Sequence, residues 1–249
     1  MIESPQNEKL KLVRKLRERK HREREGAFAT EGEDLLEAGL AAGAEPRFVL
    51  VAAGSGLEGE KVEPGLLAEV STLGSSTRVI AVWPLGSAER GELLSLSERK
   101  STGTCVYLHG VGDPGNVGTI VRTVDALTGG SVVLGPHCAD PYSPKSVRAS
   151  MGSIFAAPPA KAGIEATPEP RVAFVPHGGE ELDTLADAAT VCLGAERDGL
   201  PEDVLAQCER RVTIPLRPGG PDSLNVAAAA AIAAQRISSL AMREVQPDA

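Results

Sequence analysis

Three short stretches concentrate polar residues able to do chemistry in a sequence that is otherwise apolar or plain turn. The first, NVGTIVR at 116–122, follows the apolar run CVYLHGV and carries Asn116 and Arg122. In the second, LGAERDGLP at 193–201, Glu196 and Arg197 stand between Gly194 and Gly199. The third, IPLRPGGPDSLNVAAAAAIAAQR at 214–236, runs from a strand-like start through a Pro/Gly turn to Ser223 and Asn225. An amide and a guanidinium can hold a hydroxyl or a phosphate, charges at a turn tip can face a ligand or water, and glycines let backbone groups approach a ligand closely.

The glycine turn before the first stretch invites a nucleotide phosphate, because free N–H groups at a helix start attract anions. No acidic residue occupies the ribose position after a following strand, and no G-K-[ST] is present, so the turn is expected to hold something else. Asn116 is expected as the helix N-cap. Val117, Ile120, Val121 and Val124 form an apolar stripe at helical spacing, which puts Arg122 on the opposite side, available to a cleft. For the Ala-rich helix that follows the third stretch, Asp222 or Ser223 is the expected cap.

The elements that must position these residues read as two units. Before residue 98 come a basic helix over 9–24, a strand in AFATEG, a helix in EDLLEAGLAAG, a strand RFVLVAA, a helix near PGLLAEVSTL and a strand RVIAVW. The polar stretch SLSERKSTG marks the expected boundary, with domains at 1–98 and 99–249. Beyond it TCVYLHGV, SVVLG, RVAFVP, TVCLGAE and RVTIPL read as strands buried on both faces of a parallel sheet. Helices are expected after Asn116, near SPKSVRASMG, near ELDTLADAA and from Ser223, and AAPPAKAGIEATPEP reads as a surface loop. The fold class is therefore α/β, and ligands collect beyond the carboxyl edge of such a sheet.

Composition excludes several classes of function. With seven aromatic residues spread over 249, the chain cannot supply a stacking platform for single-stranded nucleic acid. The net charge of −8 argues against a generally sticky polyanion binder, yet between Lys9 and Arg24 nine Lys or Arg face two Glu. Leu10, Val13 and Leu16 give that segment one apolar face, leaving its cations for a phosphate backbone. Cys105, Cys138, Cys192 and Cys208 are far apart and read as reduced thiols, and neither they nor the four histidines show metal-ligand spacing. No apolar stretch approaches the ~18 residues of a membrane span, and a cytoplasmic protein is expected.

Taken together, N-x-G-x-x-x-R as NVGTIVR, G-x-E-x-x-G as GAERDG, and IP followed by SLNVAAAAAIA resemble, in order and relative spacing, the three motifs of the SpoU (TrmH) family of RNA ribose 2′-O-methyltransferases, within the SPOUT superfamily. ADPYSPKSVRASMGSIF and LRERKHREREGAFATEGEDLLEAGLAAG are similar to members carrying an RNA-binding domain of ribosomal protein L30e type. The resemblance spans most of the chain. It departs from the pattern in a loop between Pro215 and Ser223 that is a residue longer than in many relatives, and in NVAAAAAI where NVSVA is commoner.

The resemblance implies a trefoil-knotted catalytic domain, a homodimer, S-adenosyl-L-methionine as cofactor and no metal. It places Leu193, Gly194, Glu196, Gly199, Ile214, Ser223, Leu224 and Asn225 around the cofactor and makes Arg122 and Asn116 catalytic. Lys15, Arg17, Arg19, Lys20, Arg22 and Arg148 are expected on RNA phosphates. The expected substrate is 23S rRNA rather than transfer RNA. Rival readings are a tRNA methyltransferase, a non-catalytic RNA-binding protein of the same fold, and a nucleotide-binding α/β enzyme such as a dehydrogenase, which needs a Rossmann fingerprint.

Overall fold

Asn7 opens the first helix by accepting a hydrogen bond from the Lys9 N–H at 2.9 Å. The computed structural model describes residues 1–74, 77–86 and 103–245; the boundary expected at 98/99 lies outside the described residues. The basic segment is not one helix but two, α1 (Glu8–Lys15) and α2 (Arg19–Glu25). The break has a tertiary cause. Arg22 folds back and donates to the carbonyls of Leu16 and Arg17 at 2.7 and 2.8 Å, filling acceptors that a helix end leaves open. Leu10, Val13 and Leu16 are buried as their spacing predicts.

The first domain continues through β1 (Ala27–Glu31), α3 (Glu33–Ala41), β2 (Phe48–Ala52), β3 (Glu60–Val62), α4 (Pro64–Val70) and β4 (Val79–Pro84). Its sheet has the order β1-β4-β2-β3, with β4 antiparallel to both neighbours and β2 parallel to β3. Strand β3 was not expected. Its EKV carries no alternation long enough to signal a strand, and pairing with Val51 and with Ile2 supplies what propensity does not.

The second domain runs β5 (Cys105–Leu108), α5 (Pro114–Thr128), β6 (Val132–Leu134), α6 (Pro144–Ser150), α7 (Ser153–Ala156), β7 (Ala160–Lys161), β8 (Arg171–Phe174), β9 (Thr190–Leu193), α8 (Glu202–Leu205), β10 (Arg210–Val212) and α9 (Val226–Val245). Its six strands pair in parallel throughout, in the order β10-β8-β9-β5-β6-β7. One face is covered by α5 and α9 over Val106, Ile120, Val124, Val191 and Ala230, the other by α8 over Tyr107, Cys192 and Val204. Gly118 sits where α5 and α6 cross: a Cβ there would lie 2.2 Å from the Ser146 carbonyl oxygen.

Three expectations fail in detail. The segment near ELDTLADAA makes a single 3₁₀ turn at Leu182–Leu185, held by Leu185 in the core rather than by a full apolar stripe. Within the Pro-rich loop, Ala160 and Lys161 form an edge strand against Val133 and Leu134. Helix α9 starts at Val226, where Asn225 rather than Asp222 or Ser223 accepts the N–H groups of Ala227 and Ala228 at 2.9 and 3.4 Å.

An interface of its own joins the domains. Phe28 and Trp83 of the first meet Tyr142 and Phe155 of the second, with ring centroids 4.8 Å apart for Trp83–Phe155 and 4.9 Å for Phe28–Tyr142. Gly152, at φ 98°, admits Ala38 of α3, since a Cβ would stand 2.6 Å from that methyl. Beside this apolar seam Arg22 and Asp140 form an ion pair at 2.5 Å, with side chains 4% and 12% exposed.

Candidate active site at the carboxyl edge

Asp113, not Asn116, caps α5: its carboxylate accepts the Asn116 N–H at 3.0 Å. Pro114 fills the first helical position, where a missing N–H costs nothing, and this sets the helix start two residues before Asn116. Gly110, Gly112 and Gly115 do stand at the spacing of a dinucleotide-binding turn. The Asp113 carboxylate nonetheless takes the place at this helix N-terminus that a phosphate would need. Lys145 at 2.5 Å and the Asn116 N–H keep that carboxyl below its usual range.

Freed from capping, the Asn116 side chain reaches out of the helix. Its Nδ2 donates to Glu196 Oε1 at 2.7 Å, and Asn225 Nδ2 donates to the same oxygen at 2.9 Å and lies 3.2 Å from Asn116 Oδ1. One residue from each of the three stretches thus meets in a single polar cluster. Glu196, with two donors on one oxygen, keeps its other oxygen for a further donor.

The loop that presents Glu196 is shaped by its glycines. Ala195 and Gly199 exchange both backbone hydrogen bonds, at 3.1 and 2.9 Å, and Gly199 lies at φ 68°. A Cβ on Gly194 would sit 2.1 Å from the Gly199 carbonyl carbon, so the closed hairpin requires glycine there. The loop borders a cavity of about 410 Å³ between the ends of β8 and β9 and the segment leading to α9. Leu193, Gly194, Glu196, Gly199, Ile214, Ser223 and Leu224 line it, and Asn225 stands next to it as the α9 cap. Phe174, Pro176 and His177 at and just after the end of β8, and Leu216, also line it. Sequence reasoning missed these four, although the first two belong to a predicted strand and the third follows it at the edge where ligands gather.

Arg122 is exposed, on the side of α5 opposite Val117, Ile120 and Val121, and has no hydrogen-bond or ion-pair partner among the described residues. It does not line the cavity. It lies six positions after Asn116, which on a helix means a turn of about 120° and a rise of about 9 Å. Asn116 does not line the cavity either, but it bonds Glu196, which does.

The cations expected on RNA divide similarly. Arg22 is turned inward against Asp140 and is not available to a ligand, because burial has committed its donors to carbonyls and a carboxylate. Arg17 donates to the carbonyls of Glu69 and Ser71, Arg19 pairs with Glu23, and Lys20 with Glu18. Arg148 crosses the interface to Thr72 at 2.6 Å. Lys15 is exposed. All four cysteines are free thiols, as expected.

Comparison with known proteins agrees with this geometry. Residues 103–235 match the model of the SpoU rRNA Methylase family, and residues 7–82 match that of the MRM3-like substrate binding domain. The chain is 28% identical over 249 aligned residues to the 23S rRNA (guanosine(2553)-2'-O)-methyltransferase RlmP of Bacillus subtilis, covering 93% of this chain and 96% of that protein. It is 34% identical to the 23S rRNA (uridine(2479)-2'-O)-methyltransferase of Streptomyces viridochromogenes, over 47% of this chain and 46% of that one. The solved SpoU methyltransferase AviRb from S. viridochromogenes, in complex with AdoMet, superimposes with a TM-score of 0.83 at 25% identity, over 95% of this chain and 99% of that chain. No helix among the described residues is long and apolar enough to cross a membrane. With three separated motifs converging on one cluster and a family model matching more than half of its length, the chain belongs to the SpoU rRNA Methylase family.

Proposed function

We propose that the protein is an S-adenosyl-L-methionine-dependent RNA ribose 2′-O-methyltransferase that acts on 23S rRNA. One observation carries the reading: Asn116, Glu196 and Asn225, distant in sequence, share hydrogen bonds beside a cavity at the carboxyl edge of a parallel sheet. The cavity suits the cofactor. Its volume falls in the range of small-ligand sites, and Leu193, Gly194, Ile214 and Leu224, whose backbone groups the family resemblance assigns to the cofactor, line it. Glu196, Gly199 and Ser223 would lie against the bound molecule, with Asn225 holding Glu196 in place. When bound, S-adenosylmethionine supplies a methyl group on a sulfonium centre.

The ribose hydroxyl is a poor nucleophile near neutral pH, and the chain must orient it. Asn116 and Glu196 offer an amide and a carboxylate for that purpose. A guanidinium offers planar, charge-assisted donors rather than a base, so the part of Arg122 is to hold the neighbouring phosphate and to stabilise negative charge on the oxygen. Because Arg122 does not line its own chain's cavity, we infer a homodimer in which Arg122 of one copy serves the cavity of the other. Exposed Leu127 on α5, with Ile232 and Met242 on α9, supports such a face.

The trefoil knot, the L30e-type character of the first domain and a cytoplasmic location belong to the same reading, supported by membership of the family. rRNA is preferred to tRNA because the relatives from B. subtilis and S. viridochromogenes are 23S rRNA methyltransferases. The test is methyl transfer from tritiated S-adenosylmethionine to in vitro transcribed 23S rRNA, with 2′-O-methyl mapping of the product. Arg122→Ala should reduce turnover by at least a hundredfold (~3 kcal/mol of transition-state stabilisation) while cofactor affinity by calorimetry stays within twofold. Normal turnover by that variant removes Arg122 from the mechanism.

A further inference from the structure

A second cleft lies one loop away from the Asn116–Glu196–Asn225 cluster, at the seam between the domains. It has a volume of about 480 Å³, and its walls include Arg19 of α2, His137 and Asp140 from the loop after β6, and Lys161 at the end of β7. The loops along this edge are stitched together: the His109 N–H donates to the Leu193 carbonyl at 2.9 Å and the Gly110 N–H to the Pro136 carbonyl at 3.0 Å. Cluster and cleft therefore border the same carboxyl edge, where a strand of substrate passing one can reach the other.

The charge of the cleft is unlike that of the protein. Net charge is −8 overall, yet Arg19, Lys161 and the imidazole of His137 face this space. Its one lining carboxylate, Asp140, is already compensated by Arg22 at 2.5 Å and by the Tyr142 N–H at 2.9 Å. Arg19 also pairs with Glu23, both side chains being 56% exposed; such a pair is worth little, and a guanidinium can exchange it for a phosphate with small loss. His137 holds φ at 62°, a backbone conformation that a non-glycine residue adopts at a cost, and its ring lies 6.4 Å from that of His109.

We propose that this cleft is a subsite for a phosphodiester of the RNA substrate flanking the methylated nucleotide, with Lys161, Arg19 and His137 as its contacts. The inference rests on the RNA methyltransferase reading and adds to it a defined place where both domains touch one strand. The Arg22–Asp140 pair fixes the two walls relative to one another, so the spacing from the subsite to the cluster is set by the fold rather than by the linker.

The experiment is filter binding of in vitro transcribed 23S rRNA to the full chain across a KCl series, with steady-state methylation alongside. Variants are Lys161→Ala, Lys161→Arg, Arg19→Ala with Lys161→Ala, and His137→Gln. All alter exposed side chains, and cofactor titration reports on folding. The double variant is expected to bind roughly tenfold more weakly, with the slope of log K against log salt shallower by about 1 to 2, since each phosphate contact contributes ~0.7–0.9. KM for RNA should rise with kcat nearly unchanged, His137→Gln should raise KM by a smaller factor, and Lys161→Arg should restore binding. Unchanged affinity and slope in the double variant, with the wild type methylating normally, overturns the subsite and leaves the enzyme reading standing. A wild type that neither binds nor methylates the RNA overturns both.

Discussion

The basic segment of the first domain and the carboxyl edge of the second make opposite use of their residues. Residues 9–24 carry the densest positive charge in the chain, yet Arg22 is buried and Arg17 is bonded to carbonyls, while Arg19 and Lys20 make only exposed pairs with glutamates. The carboxyl edge carries little charge in sequence, and there Asn116, Glu196 and Asn225 converge and the cavities open. The difference shows that a run of cations measures potential ligands, whereas a site depends on which donors the fold leaves uncommitted. The aromatic residues follow the same rule, since four of the seven, Phe28, Trp83, Tyr142 and Phe155, are spent on the seam between domains.

The comparison is most exposed at Arg22. Arg22→Ala leaves Asp140 uncompensated and the carbonyls of Leu16 and Arg17 without their donor, at a cost of ~3–5 kcal/mol, to be read as a lower urea midpoint. A shift no larger than that of a surface variant would return Arg22 to the solvent-facing cations. Next comes Gly194→Ala, whose methyl collides with the backbone of Gly199. Overpacking there should cost ~1–3 kcal/mol and weaken S-adenosylmethionine binding at least tenfold by calorimetry, whereas unaltered affinity would show that the closed hairpin does not shape the cavity.

A smaller effect separates capping from chemistry. Asn225→Asp keeps the acceptor for the Ala227 N–H but loses the amide donor and places a carboxylate against Glu196. Stability should change by less than ~1 kcal/mol while methyl transfer falls severalfold; equal loss in Asn225→Ala and Asn225→Asp of both quantities would reduce Asn225 to a cap. The smallest effect is that of Asp113. Its pKa is lowered by Lys145 and by the Asn116 N–H, so its contribution is present above the unfolded carboxylate value of ~3.9 and is lost as pH falls through the lowered folded value. The group is solvent-screened, and Asp113→Asn should flatten the acid limb of a Tm-against-pH curve only slightly.

The apolar periodicities made most of the fold legible. Leu10, Val13 and Leu16, and Val117, Ile120, Val121 and Val124, bury the faces their spacing announces. The parallel sheet was legible because strands covered on both faces must be continuously apolar. What escaped was local structure without a local cause: β3 and β7 exist through pairing, and the break between α1 and α2 is held by Arg22, which bonds the carbonyls of Leu16 and Arg17 while it reaches Asp140 across 118 positions of sequence.

The site divides along the same line. Residue types and the spacing within each motif, which depend on backbone turns and helix periods a few residues long, were determined by the sequence alone: Gly194 and Gly199 had to be a turn, and Arg122 had to face away from the helix core. Which side chains meet was decided only by tertiary structure. Asn116 and Glu196 are 80 positions apart, and no short-range rule relates them. Their hydrogen bond exists because β5 and β9 pair in parallel, with Leu108 opposite Leu193, so the segments leaving the two strands emerge side by side, and Arg122, further along α5, stays outside its own chain's cavity.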